Sequence, residues 1–189
     1  MKNWNIILAS ASPRRRLLLK RAGFSFTAVA SNCEEIYPLA MDVRQVPEYL
    51  AKLKAESVKE QLKNDNDLII SADTLVLKDK VIYGKPVGQD DALRILKELN
   101  GATHEVITGV CFMTPTKTTT FSETTAVTFS RLTDDQLLHY ILKYKPYDKA
   151  GAYAIQEWIG LVGIKEVRGC YTNVVGLPVN RLYAELDKF

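Results

Sequence analysis

The chain has 189 residues, with 25 Lys and Arg against 22 Asp and Glu, and a formal net charge of +3. Its 47% hydrophobic and 25% charged residues are values typical of a globular protein, which excludes a disordered or low-complexity chain. Domains usually have ~100–200 residues, so we expect one domain over residues 1–189. The net charge is too small to indicate nucleic-acid binding, and any anion site must therefore be local.

The cysteines and the N-terminal residues point to a cytoplasmic protein. Cys33, Cys111 and Cys170 are odd in number and form no CxxC pair, which excludes a disulfide scaffold. The apolar run Ile6–Ala9 is too short for a signal peptide, and no stretch approaches the ~18 apolar residues of a membrane span. We therefore expect no membrane partner.

The first half of the chain alternates predicted strands and helices. The apolar run Trp4–Ala9 predicts a strand, and Ser12 before Pro13 predicts the start of a helix that ends at Gly23. The remaining predicted elements are a strand over Phe24–Val29, a helix opened by Pro47, a strand over Leu68–Ser71, a hairpin of Thr74–Leu77 with Val81–Tyr83, and a helix over Asp90–Leu99.

The second half begins with two predicted strands, His104–Met113 and Thr118–Phe129. Thr133 and Gln136 form a capping box, which predicts a helix that continues through Tyr144. The predicted tail comprises a strand over Leu161–Val167, a strand near Thr172–Val175 and a short helix after Pro178. This alternation predicts an α/β fold.

The segment Ser10 to Arg16, between the first strand and the first helix, is a candidate anion site. Free backbone amides and the positive end of the helix dipole attract anions there. Arginines add forked, charge-assisted hydrogen bonds, and a phosphate group would suit both. A capped helix with a solvated basic surface explains the same local pattern equally well.

Four further charged residues are candidates. Asp73 follows the buried run Leu68–Ser71, so we expect it at a strand end, where a carboxylate can hold a divalent cation or orient a water. A turn residue is the commoner role of such an Asp. Lys54 lies on an apolar helix face, and its ammonium either reaches solvent, which is commoner, or meets a site anion. Solvated loop roles are the commoner ones for Lys85 and Glu35.

Several chemistries lack their motifs in this sequence. It contains neither GxxxxGK[ST] nor GxGxxG, and His104 and His139 with three scattered cysteines make no convincing zinc site. The sequence also lacks a GxSxG elbow, so it gives little support for hydrolysis by a catalytic triad. Oxygen ligands, Lys and Arg remain, and they suit phosphate chemistry assisted by Mg²⁺ or Mn²⁺.

Taken together, seven segments resemble the Maf family of nucleoside triphosphate pyrophosphatases in type and in order. They are Ser10-Ala11-Ser12-Pro13-Arg14-Arg15, Ala51-Lys52-Leu53-Lys54-Ala55, Ala72-Asp73-Thr74, Gly84-Lys85-Pro86, Thr108-Gly109-Val110, Asp148-Lys149-Ala150-Gly151-Ala152-Tyr153-Ala154-Ile155-Gln156 and Val175-Gly176-Leu177-Pro178. The resemblance covers essentially the whole chain, and several motifs in order are far more specific than any one of them.

This resemblance implies a fold, a reaction and a set of site residues. The fold would be α/β, with an elongated, curved mixed sheet flanked by helices and two lobes around a central cleft. The reaction would cleave a nucleoside triphosphate between its α and β phosphates, with Mg²⁺ or Mn²⁺, in a homodimer. The implied roles are Asp73 as catalytic base, Glu35 and Asp73 at the metal, and substrate contacts from Ser10, Arg14, Arg15, Lys54, Thr74, Lys85 and Gln156.

The resemblance also suggests which base is preferred. Arg14 directly after Pro13, Thr74 after the aspartate and the pair Ile155-Gln156 resemble the class that acts on dTTP and UTP, rather than the class that acts on 7-methyl-GTP. Two residues depart from the family pattern: Ala154 replaces a usual Gly, and Cys170 a small polar or acidic residue.

Two alternatives to hydrolysis differ in what they require. A regulatory protein that senses triphosphates without hydrolysing them would need the same phosphate contacts but no general base. Nucleic-acid binding through Arg14–Arg16 is disfavoured by the small net charge and the lack of a longer basic stripe.

Overall fold

A computed structural model describes residues 4–189, which form a mixed α/β structure. The strands are β1 (Asn5–Ala9), β2 (Phe26–Val29), β3 (Asp67–Lys78), β4 (Val81–Tyr83), β5 (Thr103–Met113), β6 (Thr118–Phe129) and β7 (Ile164–Arg168). They form one sheet in the order β2-β1-β3-β5-β6-β7, with β4 paired to β3. β1 is parallel to β2 and β3, whereas β4 and β7 are antiparallel to β3 and β6, so the predicted mixed sheet is confirmed.

The helices are α1 (Pro13–Arg21), α2 (Val46–Glu56), α3 (Gln89–Leu99), α4 (Asp134–Tyr144), α5 (Trp158–Gly163), α6 (Tyr171–Val175) and α7 (Val179–Lys188), with short 3₁₀ helices at Lys59–Gln61 and Ala150–Ala152. Helices α1 to α5 lie in the connections between these strands, and α6 and α7 follow β7. No helix within residues 4–189 is long and apolar enough to cross a membrane.

The chain divides into two compact units. The first unit comprises the chain up to Thr74 together with Thr108–Glu123 and Gly176–Phe189, and the second comprises Leu75–Ile107 and Thr124–Val175. Strands β3, β5 and β6 each contribute residues to both units. The single domain over residues 1–189, the curvature of the sheet and the central cleft stay predictions.

In the first unit, helices cover both faces of the central strands of the sheet. One apolar cluster joins Leu8 of β1 and Ile70 of β3 to Leu19 of α1 and to α7. A second cluster joins Ile69 to Ala51 of α2 on the opposite face. Strands covered on both faces read as continuous apolar runs, which is why the β1 and β3 sequences show little alternation.

The second unit has its own core, built from α3, α4 and the strands. Leu96 and Leu99 of α3 pack with Leu137 and Ile141 of α4 and with Phe129 of β6. At the start of α4, Thr133 Oγ1 accepts from the Gln136 amide while the Gln136 side chain accepts from the Thr133 amide. The predicted capping box is therefore confirmed.

The predicted strands of the tail are wrong in part. Leu161–Gly163 belongs to α5, and the strand begins only at Ile164. The segment predicted as a strand near Thr172–Val175 is the helix α6. There the buried Asn173 amide donates to the Val106 carbonyl at 3.0 Å and to Thr125 Oγ1 at 2.8 Å. These distant partners override the local β-propensity of the segment.

Candidate functional site

The start of α1 is built from short polar side chains. Ser12 caps the helix, its Oγ accepting from the Arg15 amide at 3.5 Å. The buried Ser10 Oγ accepts from the Ser12 amide at 3.2 Å, and Arg16 donates to the Ser10 carbonyl at 3.3 Å. The loop therefore holds a basic helix start immediately after β1, as the sequence predicted, with Arg14 half-buried beside it.

Asp73 lies within a strand and not at the end of one, which corrects the sequence-based expectation. β3 continues from Asp67 to Lys78, but its neighbour β1 ends at Ala9, which pairs with Ser71. Asp73 is two residues further on, where the adjacent chain has already left the sheet for the loop before α1. Its side chain is 11% exposed, so a carboxylate sits almost buried beside the basic helix start.

The Lys54 ammonium is buried between two carboxylates and does not extend to solvent. Its Nζ donates to Asp73 Oδ1 at 2.5 Å and lies 2.8 Å from Glu35 Oε1. The Lys54 side chain is 9% exposed, whereas that of Glu35, in the irregular loop before α2, is 44% exposed. We call Lys54, Asp73 and Glu35 the charged triad.

Two close contacts hold α2 against the sheet and thereby place Lys54. Ser71 Oγ of β3 donates to the Ala51 carbonyl at 2.5 Å, one turn before Lys54. On β5, a Cβ at Gly109 would lie 2.2 Å from the Pro47 carbonyl carbon, so only glycine permits this approach of strand and helix. Gly109 thus has a structural role at the site, because it lets α2 approach the sheet.

Arg15 is anchored by the protein as well as being a candidate phosphate contact. Its Nε donates to the Gly176 carbonyl at 2.8 Å and its Nη2 to Thr74 Oγ1 at 3.0 Å, while Thr74 Oγ1 lies 2.9 Å from Thr108 Oγ1. Desolvation lowers the pKa of the Arg15 guanidinium, and attraction to Asp73 opposes this shift. Guanidinium has five N–H donors, so two anchoring bonds leave capacity for an anion.

Thr108 is a residue that reasoning from single side chains missed. It is fully buried and bonds to Thr74, which neighbours Asp73. Its place in the Thr108-Gly109-Val110 segment was the available signal, but a lone threonine in a predicted strand carries no mark of what it contacts.

The two remaining predicted residues, Lys85 and Gln156, belong to the second unit. Lys85 is exposed after β4, and Gln156 is exposed in a turn before α5. Sequence reasoning missed the polar network beside this turn, in which Tyr140 donates to Glu157 and the buried Lys149 lies 3.5 Å from Glu157 Oε1.

The two carboxylates of the charged triad, Asp73 and Glu35, are the candidate protein ligands of a metal ion. Among residues 4–189, no group of three or more His, Cys, Asp or Glu side chains is arranged to hold a metal ion. Asp73 and Glu35 nevertheless each place a carboxylate oxygen within 2.8 Å of the same Lys54 Nζ. Mg²⁺ commonly takes one or two protein carboxylates and completes its shell with waters and substrate phosphates. The oxygen donors present fit such an ion.

Comparison with solved structures supports the fold. A Ham1 protein from Staphylococcus aureus superposes with a TM-score of 0.53 and 17% sequence identity, covering 97% of this chain and 98% of that one. At this identity the likeness concerns the fold alone.

Comparison with curated proteins and family models places the chain in a family. A protein of Parabacteroides distasonis named dTTP/UTP pyrophosphatase is 45% identical over 190 residues, covering 100% of this chain and 98% of the relative. A protein of the same name from Phocaeicola vulgatus is 47% identical, and the match covers 100% of this chain and 97% of the relative. Another from Flavobacterium psychrophilum is 46% identical, and the match covers 98% of this chain and 94% of the relative. The model of the Maf-like protein family matches residues 5–189. The chain therefore belongs to the Maf-like family.

Proposed function

We propose that this protein hydrolyses dTTP and UTP to the nucleoside monophosphate and pyrophosphate. The main structural support is the nearly buried Asp73 carboxylate, which Lys54 holds next to the basic start of α1. A protein that only bound a triphosphate would need the cations but no buried carboxylate among them. The names of relatives that share nearly half their residues with this chain support the same reaction and substrates.

The cations of the first unit bind the triphosphate in this proposal. Arg14, the spare N–H groups of Arg15 and the Lys54 ammonium offset the phosphate charge, and the backbone amides around Ser10 and at the start of α1 donate to phosphate oxygens. Neutralising this charge allows a water to approach the α phosphorus.

Asp73 acts as the general base. Lys54 engages its Oδ1 and orients the carboxylate, which takes a proton from the attacking water. The water oxygen forms a bond to the α phosphorus, the bond from that phosphorus to the oxygen bridging to the β phosphate breaks, and pyrophosphate leaves with the electron pair. Thr74, the residue after Asp73, is held by its hydrogen bonds with Arg15 and Thr108, and this restrains the strand next to the catalytic carboxylate.

A divalent cation, Mg²⁺ or Mn²⁺, is part of the proposal, with Glu35 and Asp73 as its protein ligands. When bound, it would neutralise phosphate charge and lower the pKa of water at the site. Both carboxylates contact the same Lys54 Nζ, and carboxylate oxygens are ligands that these ions prefer, which supports this assignment.

The residues of the second unit enter through the family resemblance. Lys85 contributes to phosphate binding and Gln156 to recognition of the base. A cytoplasmic location and a homodimer, expected from the cysteines and the resemblance, complete the proposal; nucleic acids and membranes are not among the expected partners.

The products of the reaction test the proposed hydrolysis. With Mg²⁺, the purified protein should convert dTTP to dTMP and UTP to UMP with one pyrophosphate each, measured by chromatography of the nucleotides and an enzymatic pyrophosphate assay. Orthophosphate with dTDP as the first products would contradict cleavage between the α and β phosphates, and binding without turnover would favour the regulatory alternative.

Base choice tests the role of Gln156. Its amide offers a donor and an acceptor, which match O4 and N3–H of thymine and uracil, whereas cytosine reverses this pattern. An unpaired polar group costs ~1–3 kcal/mol, so kcat/KM should be about tenfold or more higher for dTTP and UTP than for CTP. Gln156→Glu, which replaces the donor by a charge, should reduce this preference. An unchanged order among dTTP, UTP, CTP, GTP and 7-methyl-GTP would remove Gln156 from base recognition.

A further inference from the structure

The turn that carries Gln156 has a buried base and an exposed tip. The Glu157 amide donates to the Ala154 carbonyl at 3.1 Å, which closes a β-turn with Ile155 and Gln156 as its central residues. Ala154 and Ile155 are 7% and 6% exposed, whereas Gln156 is exposed. The turn therefore presents a single amide side chain above a packed support.

One tyrosine hydroxyl contacts both ends of this turn. Tyr140 of α4 is fully buried, and its hydroxyl accepts from the Ala154 amide at 3.1 Å and donates to Glu157 Oε2. Burial, followed by the Glu157 carboxylate, raises the pKa of the Tyr140 hydroxyl, so the group remains a donor at neutral pH. The single proton of the hydroxyl and one of its acceptor positions are thus used by the two residues that flank Ile155 and Gln156.

Two other contacts restrict the same turn from different sides. Lys149, with a side chain 10% exposed, places its Nζ 3.5 Å from Glu157 Oε1, the carboxylate oxygen that Tyr140 does not use. A Cβ at Gly160 of α5 would lie 1.7 Å from the Ile155 carbonyl oxygen, so the helix backbone packs directly on the turn. The turn is thus held by α4, by α5 and by a buried lysine.

We propose that Tyr140, with Glu157 and Lys149, is a positioning residue for base recognition by Gln156. This inference rests on the proposed function, and specifically on contact between Gln156 and the pyrimidine. An amide on a mobile turn can reorient to match either thymine or cytosine, whereas one on a fixed backbone meets the base in a restricted orientation. Tyr140 therefore acts on substrate preference through Gln156.

A double-mutant cycle tests this inference. We measure kcat and KM for dTTP and for CTP in the wild type, Tyr140→Phe, Gln156→Ala and the double variant. Tyr140→Phe should lower the ratio of kcat/KM for dTTP to kcat/KM for CTP about threefold or more, and most of this change should be a rise in KM for dTTP. In the Gln156→Ala background the same replacement should leave that ratio unchanged, because the amide that the turn positions is absent.

Tyr144→Phe is the matched control. Tyr144 lies one turn further along α4, and its ring stacks on that of Tyr140 with centroids 5.1 Å apart. The control removes a hydroxyl from the same helix, and we expect an unchanged preference for dTTP over CTP. If circular dichroism shows that Tyr140→Phe does not fold, Glu157→Gln replaces it. That variant removes the charge facing Lys149, and its effect on preference should be smaller and in the same direction.

The outcomes separate this inference from the function on which it rests. A wild type without activity on dTTP overturns both. An unchanged preference in Gln156→Ala overturns the role of the amide and, with it, that of Tyr140. A lower preference in Gln156→Ala beside an unchanged one in folded Tyr140→Phe overturns the inference alone. If Tyr140→Phe lowers the preference for dTTP over CTP equally in the presence and in the absence of Gln156, the inference is also overturned, because the tyrosine would then act independently of the amide.

Discussion

Replacing Asp73 by Asn is expected to lower kcat for dTTP by ~10²-fold or more, because the amide cannot accept the proton of the attacking water. It also removes one of the two carboxylates that would hold a cation. The fold should persist, since Asn offers an oxygen to the Lys54 ammonium and Glu35 remains as its second partner. Steady-state kinetics and a thermal melt of the same preparation measure the two effects separately.

Asp67→Asn is the matched control for this prediction. Asp67 is another buried aspartate of β3, and the amides of Lys63 and Asn64 donate to its Oδ2 at 2.8 Å each. These hydrogen bonds hold the pKa of the Asp67 carboxyl below its usual value. Its replacement should reduce thermal stability and leave kcat unchanged. If folded Asp73→Asn keeps the wild-type kcat, or if Asp67→Asn loses as much kcat as Asp73→Asn does, Asp73 would be removed from the mechanism.

The elements that depend on neighbours in the chain were predictable from the sequence. The cap at Ser12 and the capping box of Thr133 with Gln136 are signals confined to four residues, and the structure forms both. The same holds for the hairpin of β3 and β4, whose turn residues Asp79 and Lys80 adopt positive φ angles.

The positions that depend on distant partners were predicted less well. Apolar spacing placed Lys54 on the inner face of a helix, but it could not reveal that two carboxylates from other segments meet its ammonium. The expectation that Asp73 marks a strand end failed because the strand that ends is β1, whose register with β3 is set by tertiary packing. The α6 segment was mistaken for a strand because Asn173 finds its partners on β5 and β6, about 50 to 70 residues earlier.

The structure also changes what the arginines of the motif are expected to do. Arg14 and Arg15 are indistinguishable as neighbouring cations in the sequence, yet the Arg15 side chain donates hydrogen bonds to the Gly176 carbonyl and to Thr74 Oγ1. Arg15 therefore joins the C-terminal segment of the first unit to the residue beside Asp73, and it contributes to the shape of the site as well as its charge. This dual role follows from hydrogen-bond geometry, which spacing alone does not contain.

Replacing Lys54 by Met is expected to weaken both the fold and the binding of substrate. Met keeps most of the length of the side chain but removes the ammonium, which leaves the nearly buried Asp73 carboxylate without its partner. Breaking a fully buried pair costs ~3–5 kcal/mol, and the half-exposed Glu35 reduces this here, so we expect a loss of about 2–3 kcal/mol in the free energy of unfolding at pH 7. KM for dTTP should rise, since one phosphate-binding cation is lost.

Lys52→Met provides the control on the same helix. The Lys52 ammonium lies 3.8 Å from Glu56, and the two side chains are 52% and 44% exposed. Exposed pairs of this kind contribute ~0–1 kcal/mol, so urea unfolding should show little change, and KM for dTTP should match that of the wild type.

The double variant Lys54→Met/Asp73→Asn tests the cause of the instability. If the cost arises from an unpaired carboxylate, neutralising Asp73 removes that carboxylate, and the double variant should be more stable than Lys54→Met alone. If the two losses simply add, the stability effect comes from packing of the lysine stem and not from the charge pair. A KM for dTTP that stays at the wild-type value in folded Lys54→Met would remove Lys54 from phosphate binding and confine its role to holding Asp73 and Glu35 together.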